Sequence, residues 1–272
     1  MDSKKKNLLV RIASALLLMP LVLILIWTGG TPFTILVAAA AALIARETYG
    51  MVGIDPLHPA ALTGMVGAIV VVIAAEDLAS RWPAVVLVFA LAPAVVFSLS
   101  TLWPPLGDLR RAAQSAAWIT ASVPYAGLLG ALVAIRAHPQ GLSWTLIALG
   151  MTWGNDTGAY FAGLRFGKRK LYPKVSPNKT WEGFLGGMAA SIVAAAVGRI
   201  FLPLDWGDVF LLGGIAGIVG PLGDLSESMI KRAFDVKDSG QLIPGHGGLF
   251  DRVDALLFVA PWTLAYLAFF LG

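Results

Sequence analysis

The chain has no cysteine in 272 residues and only three histidines. That excludes disulfides, thiolate metal centres and a cysteine nucleophile. With His58 and His138 in ordinary loops, a histidine-rich metal site is not expected either. Charge is also scarce: Asp, Glu, Lys and Arg make up 13% of the residues, against 57% hydrophobic ones, and the mean hydropathy is +0.77. Soluble domains do not have this composition. The sequence shows no nucleic-acid-binding motif, no internal repeat and no low-complexity tract beyond the alanine run 38–42. A nucleic acid is therefore not an expected partner.

What the chain does have is long apolar runs. A bilayer core about 30 Å thick takes roughly 20 apolar residues per helix. Such runs occur near 8–27, 32–50, 59–76, 82–102, 114–135, 142–163, 181–202, 207–230 and 251–271. The expected fold is an all-α, polytopic transmembrane bundle of about nine spans, whose connections are too short to form a separate soluble domain. Lysines 4, 5 and 6 precede the first run, and no Ala-x-Ala-like cleavage site follows it, so a retained first helix is expected rather than a signal peptide.

The basic residues orient the bundle. With the N-terminus inside, all but three of the 20 (Arg81, Arg136 and Arg199) fall on one side, which predicts a cytoplasmic N-terminus and an external C-terminus. Topology and attraction to anionic membrane lipid account for the pI near 9.4. Trp27, Trp82, Trp103 and Trp206, near span ends, read as interfacial anchors.

Polarity then divides the chain. Residues 1–140 read as a transmembrane scaffold half and 141–272 as a catalytic half with its site facing the cytoplasm. In the second half "MTWGNDTGAYFAG" sets Asn155 and Asp156 inside a span, and "GPLGDLSESMIKR" does the same with Asp224 and Glu227. Ionisable groups are costly in lipid, so these are functional candidates; for Asn155 a helix-packing role is the plainer alternative. Pro221 is expected to loosen its helix. The pairs Gly154/Gly158 and Gly213/Gly217 read as close helix packing rather than ligand contact.

Two cytoplasmic connections carry the chemistry. In "LRFGKRKLYPKVSPNKTWEG", Lys168 to Lys170 look like a solvated topology signal. Ser176, Lys179 and Thr180, by contrast, combine hydroxyls and an ammonium at a fresh helix start, which suits a phosphate. In "KRAFDVKDSGQLIPGHGGLFDRVD", Gly247 and Gly248 allow backbone N–H groups to approach an anion. Asp251 and Asp254 fall in the first turn of the last span, where acids also simply favour the helix dipole. Asp224, Glu227, Asp251 and Asp254 are oxygen donors of the type Mg²⁺ takes.

The run "SMIKRAFDVKDSGQLIPGHGGLFDRVD" resembles the signature of the phosphatidate cytidylyltransferases (CDP-diacylglycerol synthases), and "SPNKTWEGFLGG" and "NDTGAYFAGLRFGK" are similar to that family too. The likeness covers the last 120 or so residues. Asn178 stands where the family usually has Lys, and Lys179 keeps the neighbouring charge. The resemblance implies Mg²⁺-dependent transfer of CMP from CTP to phosphatidate. It implies Asp224 and Asp251 as the metal-binding acidic pair, with Glu227 and Asp254 beside them. Lys231, Arg232, Lys237 and Arg252 would hold phosphates, and Asn155 and Asp156 would extend the cavity. His246 either donates to the leaving pyrophosphate or caps the loop. A homodimer is a further expectation, with no residue assigned to its interface. Two rivals are a CTP-dependent polyprenol or phytol kinase and, in another class, an ion-coupled transporter. Neither an inverted repeat nor a two-sided charge path favours the latter.

Overall fold

The computed structural model of the chain describes residues 3–77, 95, 96, 99, 109–245 and 247–271. The expected fourth span, with Arg81, Trp82 and Trp103, lies outside the described residues apart from 95, 96 and 99, and so does His246. The described chain is almost entirely helical, with one two-stranded sheet. Among the described residues, five helical stretches are long and apolar enough to cross a membrane: Gly30–Met51, Pro59–Asp77, Arg110–Ala137, Trp181–Gly198 and Trp206–Ala233. Leu16–Thr28 and Leu256–Phe270 are shorter apolar helices. The protein is a polytopic helical membrane protein.

The chain forms two compact units, residues 1–134 with 234–252, and residues 135–233 with 253–272. The first contains α1 (Ser3–Thr28), α2 (Gly30–Met51), α3 (Pro59–Ala74), α4 (Leu109–Gly127) and the start of α5 (Gly130–Ala137). Proline opens α3, where a missing N–H costs nothing, and the His58 ring caps it by accepting from Ala60 N. The fifth expected span is thus two helices, α4 and α5, broken at Leu128 and Leu129. Ile44, Tyr49 and Ile119 are fully buried, and Tyr49 shares a 2.6 Å hydrogen bond with Ser122. The polar loop from Phe234 to Arg252 packs in this unit: Phe234 meets Trp118 edge-on, and Phe250 meets Tyr125. Within it, the short helix α9 (Phe250–Val253) carries Asp251.

The second unit is built on α6 (Gly141–Phe166), the hairpin β1 (Lys170–Tyr172) and β2 (Ser176–Thr180), α7 (Trp181–Gly198), α8 (Trp206–Ala233) and α10 (Leu256–Tyr266). The small residues do what the sequence predicts. A side chain at Gly158 would lie 2.5 Å from Ala190 Cβ, and one at Gly213 or Gly217 would lie 2.6 Å from the α7 backbone at Ile192 or Met188. These contacts let α7 lie tightly against both α6 and α8. Pro221, where loosening is expected, lies inside α8, which is one helix from Trp206 to Ala233. Pro221 has no N–H to offer the Gly217 carbonyl one turn back. Asn155 Nδ2 donates to that carbonyl instead, at 3.2 Å.

The last span also differs from its expected start. Asp251 sits in the separate short helix α9, Asp254 lies in a turn, and the long helix begins only at Leu256. Asp254 Oδ1 accepts from Ala255 N at 2.8 Å, a local bond that competes with helix continuation.

Candidate functional site

The polar residues of the second unit converge from three elements. Residues 168 and 169 are tethered first: Glu182, in the first turn of α7, accepts from Lys168 N at 3.0 Å and from Arg169 N at 3.2 Å. The hairpin follows, with Lys170 paired to Thr180 and Tyr172 to Ser176. Thr180 then caps α7, its hydroxyl accepting from Gly183 N at 3.1 Å. The helix start predicted at Trp181 is therefore real, and the Thr180 oxygen serves it. Fixed in this way, Lys179 extends to Asp224 on α8, with Nζ 2.6 Å from Oδ2. Ser228 Oγ donates to the other Asp224 oxygen at 3.1 Å.

These groups line one cavity of about 590 Å³. Its polar wall holds Asn155, Asp156, Asn178, Lys179, Thr180 and Asp224. Its apolar wall includes Tyr160, Leu164 and Phe184, and Leu164 is 73% exposed. Six positions separated by up to 69 residues of sequence (155 to 224) thus share one space. Asn155 also serves the fold, since it is 3% exposed and its amide is committed to Gly217.

Farther along α8, Glu227 is 1% exposed and accepts from Lys231 Nζ at 2.6 Å. Arg232 Nε donates to Val175 O at 3.4 Å. Ser176 opens β2. Burial pushes the Asp254 carboxyl up to about 7; the like charges of Asp224 and Asp156 add to the rise, while the Ala255 N–H and Lys179 oppose it. Several carboxylates close enough to repel one another are oxygen donors a hard cation suits. Among the described residues, however, no three Asp, Glu, His or Cys side chains are gathered tightly enough to hold a metal as they stand. The donor chemistry fits Mg²⁺, with Lys179 taking the cationic place beside Asp224.

In the first unit the expected residues lie on the polar loop and on α9. Asp251 Oδ2 accepts from Ser239 N (3.0 Å), Ser239 Oγ (2.9 Å) and Gly248 N (2.9 Å). Gly247 has φ +82°, and its carbonyl accepts from Ile243 N. Of the glycine pair, Gly248 brings its N–H to the protein's own Asp251 carboxylate. Lys237 and Arg252 are exposed. Sequence reasoning missed Glu47, whose carboxylate accepts from Leu249 N and Phe250 N, both at 2.9 Å. The signal was there: an acid, next to Arg46, inside an apolar span, in "ARETYG". A larger cavity, about 1040 Å³, lies in this unit between the 52–59 loop and Arg111–Trp118. None of the candidate site residues lines it, and Arg111 closely follows residues 100–108, outside the described ones.

The profile of the cytidylyltransferase family matches residues 9–270. The chain belongs to the cytidylyltransferase family. Relatives include the phosphatidate cytidylyltransferase of Staphylococcus aureus (strain COL), 35% identical over 254 residues, 93% of this chain and 96% of that protein. That of Staphylococcus epidermidis (strain ATCC 12228) is 34% identical over 255 residues, with the same coverage. The Bacillus subtilis (strain 168) phosphatidate cytidylyltransferase is 43% identical over 157 residues, 56% of this chain, and the match spans 58% of that protein. The family and the enzyme class expected from the signature, a nucleotidyltransferase, are those of these relatives. Membership in the cytidylyltransferase family extends the likeness from the signature region to nearly the whole chain.

Proposed function

We propose that the protein transfers CMP from CTP to phosphatidate, giving CDP-diacylglycerol and pyrophosphate, with Mg²⁺ as cofactor. The observation that carries this reading is the cavity of the second unit, where an ammonium and carboxylates line one wall and apolar side chains of membrane helices the other. A lipid phosphate needs both. The relatives' printed names support the same choice of substrate.

In the reaction, a phosphatidate oxygen forms a bond to the α-phosphorus of CTP. The bond from that phosphorus to the β-bridging oxygen breaks, and pyrophosphate leaves with the electron pair. A phosphate monoester with a second pKa near 6 is already anionic at neutral pH, so no strong general base is required. The protein's task is to position the groups and offset their charge. Lys179 would turn from Asp224 to a phosphate oxygen, with Ser176 and the N-terminal end of α7 beside it. By the family resemblance Asp224 and Asp251 are the acidic pair proposed to hold Mg²⁺, with Glu227 and Asp254 as further candidates. When bound, the ion offsets phosphate charge and orients the triphosphate. Lys231, Arg232, Lys237 and Arg252 are proposed phosphate contacts, as are the N–H groups near Gly247 and Gly248. The proposed setting is a bacterial inner membrane with the site toward the cytoplasm, in line with the distribution of lysine and arginine.

The test uses purified protein with labelled CTP, phosphatidate and Mg²⁺, followed by identification of both products. Label from the α-phosphate should move to the lipid, pyrophosphate should appear in equal amount, and EDTA should stop both. Transfer of the γ-phosphate to a lipid, with release of CDP, would replace this reading with a kinase.

A further inference from the structure

We propose that Glu47 is a positioning residue for the transfer reaction, holding the Ser239–Asp251 loop in shape and orienting Asp251 through Ser239. The proposal rests on the reaction argued above. Glu47 lies in the apolar helix α2 and is 5% exposed. A buried carboxylate is tolerated only when hydrogen bonds replace its water. All its recorded donors come from the polar loop: Oε1 accepts from Leu249 N at 2.9 Å, and Oε2 accepts from Phe250 N at 2.9 Å and Ser239 Oγ at 3.1 Å.

The loop is shaped around this carboxylate. A Cβ at Gly240 would lie 2.7 Å from Oε1, and one at Gly248 would lie 2.6 Å from Oε2 and collide with the Ser239 hydroxyl. A side chain at Gly240 would therefore press on the Glu47 carboxylate, and one at Gly248 on the Ser239 hydroxyl first and on Glu47 next. Ser239 carries the constraint onward, since its N and Oγ both reach Asp251 Oδ2, at 3.0 and 2.9 Å. One hydroxyl proton serves two carboxylate oxygens, so Glu47 and Asp251 are coupled through it.

The experiment compares the full-length parent with Glu47→Gln and Ser239→Ala in detergent, by hydrogen exchange on peptides spanning 239–252 and by kcat and KM for CTP and phosphatidate. Gln keeps the shape of Glu but turns an NH₂ toward an N–H or hydroxyl donor. E47Q should exchange faster in the loop but not elsewhere in α2 and α3. Its kcat should fall about 10- to 100-fold, as for other residues that orient a binding group, with both KM values unchanged. S239A should lower kcat by a similar factor while exchange at Leu249 and Phe250 stays slow, because it removes the hydroxyl that joins Glu47 to Asp251 and leaves the two N–H bonds to Glu47 in place. Parent-like kcat in either variant overturns the proposal. So does unchanged loop exchange in E47Q, or faster exchange across the whole first unit. If the parent makes no CDP-lipid, the functional reading fails separately, and the exchange result still decides whether Glu47 holds the loop.

Discussion

The two charged regions of this membrane protein dispose of their carboxylates in different ways. In the first unit, Glu47 and Asp251 face N–H and O–H groups of one loop, and each oxygen discussed is held by the chain's own donors. In the second, Asp224, Asp254 and Asp156 repel one another, and Lys179, a flexible side chain, offsets their charge. A carboxylate met by several donors of its own chain is fixed in direction, as a group that supports a ligand needs to be. Repelling acids beside an ammonium gain a great deal from a cation and an anion arriving together. The comparison therefore separates carboxylates already oriented by the chain's own donors from acids whose charge is balanced by one lysine.

The hardest test of that contrast is to remove charge from the second region. Lys179→Ala, with Pro173→Lys restoring the loop's net charge and topology signal, should lower turnover by about 10²- to 10³-fold, the cost of losing one donor aimed at developing charge. Asp224→Asn should match or exceed it. Both variants should insert and purify like the parent. Parent-like turnover in the lysine variant would return the "SPNKT" stretch to a topology signal and erase the difference between the regions.

Asp251→Asn probes the first region. An amide can still accept, but its NH₂ would face Ser239 or Gly248 N–H, so the loop should loosen as well as the reaction slow. A loss of about 10- to 100-fold is expected, accompanied by faster exchange over 239–252. A loss of activity with the loop as well protected as in the parent would move Asp251 out of the shape-holding class.

Most of the second region was legible in the sequence, because polar residues inside apolar spans are expensive and have to meet something. Asn155, Asp156, Lys179, Thr180 and Asp224 do line one space. The start of α7 at Trp181 was equally readable, although the Thr180 hydroxyl, read from sequence as suited to a phosphate, caps the helix. Other features depended on tertiary partners that no local pattern reveals. Glu47 stood in plain view as a charge in a span, but its partners lie about 200 residues away. Pro221 takes a donor from its own helix, and the N–H that meets the Gly217 carbonyl comes from Asn155 on another helix. The acids at 251 and 254 satisfied a first-turn pattern, yet their side chains bond locally and delay the helix to Leu256.

A smaller effect should appear in stability against pH. Asp254 is raised from 3.8 to about 7 in the folded protein. Between those values the unfolded chain has released a proton that the native state keeps, so stability should fall as pH rises through this window and level off above it. In EDTA, the melting temperature of the parent in detergent should drop between pH 5 and pH 8 more than that of Asp254→Asn. Equal drops would mean that the acids of the second region do not burden the fold, and the contrast with the first would weaken.

The smallest expected effect concerns the joint between α6 and α8 beneath the cavity. Asn155→Ala leaves the Gly217 carbonyl without the donor that now serves it, in a helix where Pro221 supplies none. Interhelical hydrogen bonds of this sort contribute about 0.6 kcal/mol on average, and up to about 1.7, in membrane proteins. Pro221→Ala returns an N–H to position 221, and the normal bond to the residue four back can form. Losing Asn155 should then cost less in the P221A background than in the parent, with a coupling of about 1 kcal/mol in a double-mutant cycle read from unfolding in detergent. Activity is not the readout, since Asn155 also lines the cavity. Equal costs in both backgrounds would show that the Asn155 amide does not stand in for the proline's missing N–H, and would leave ligand contact as its role.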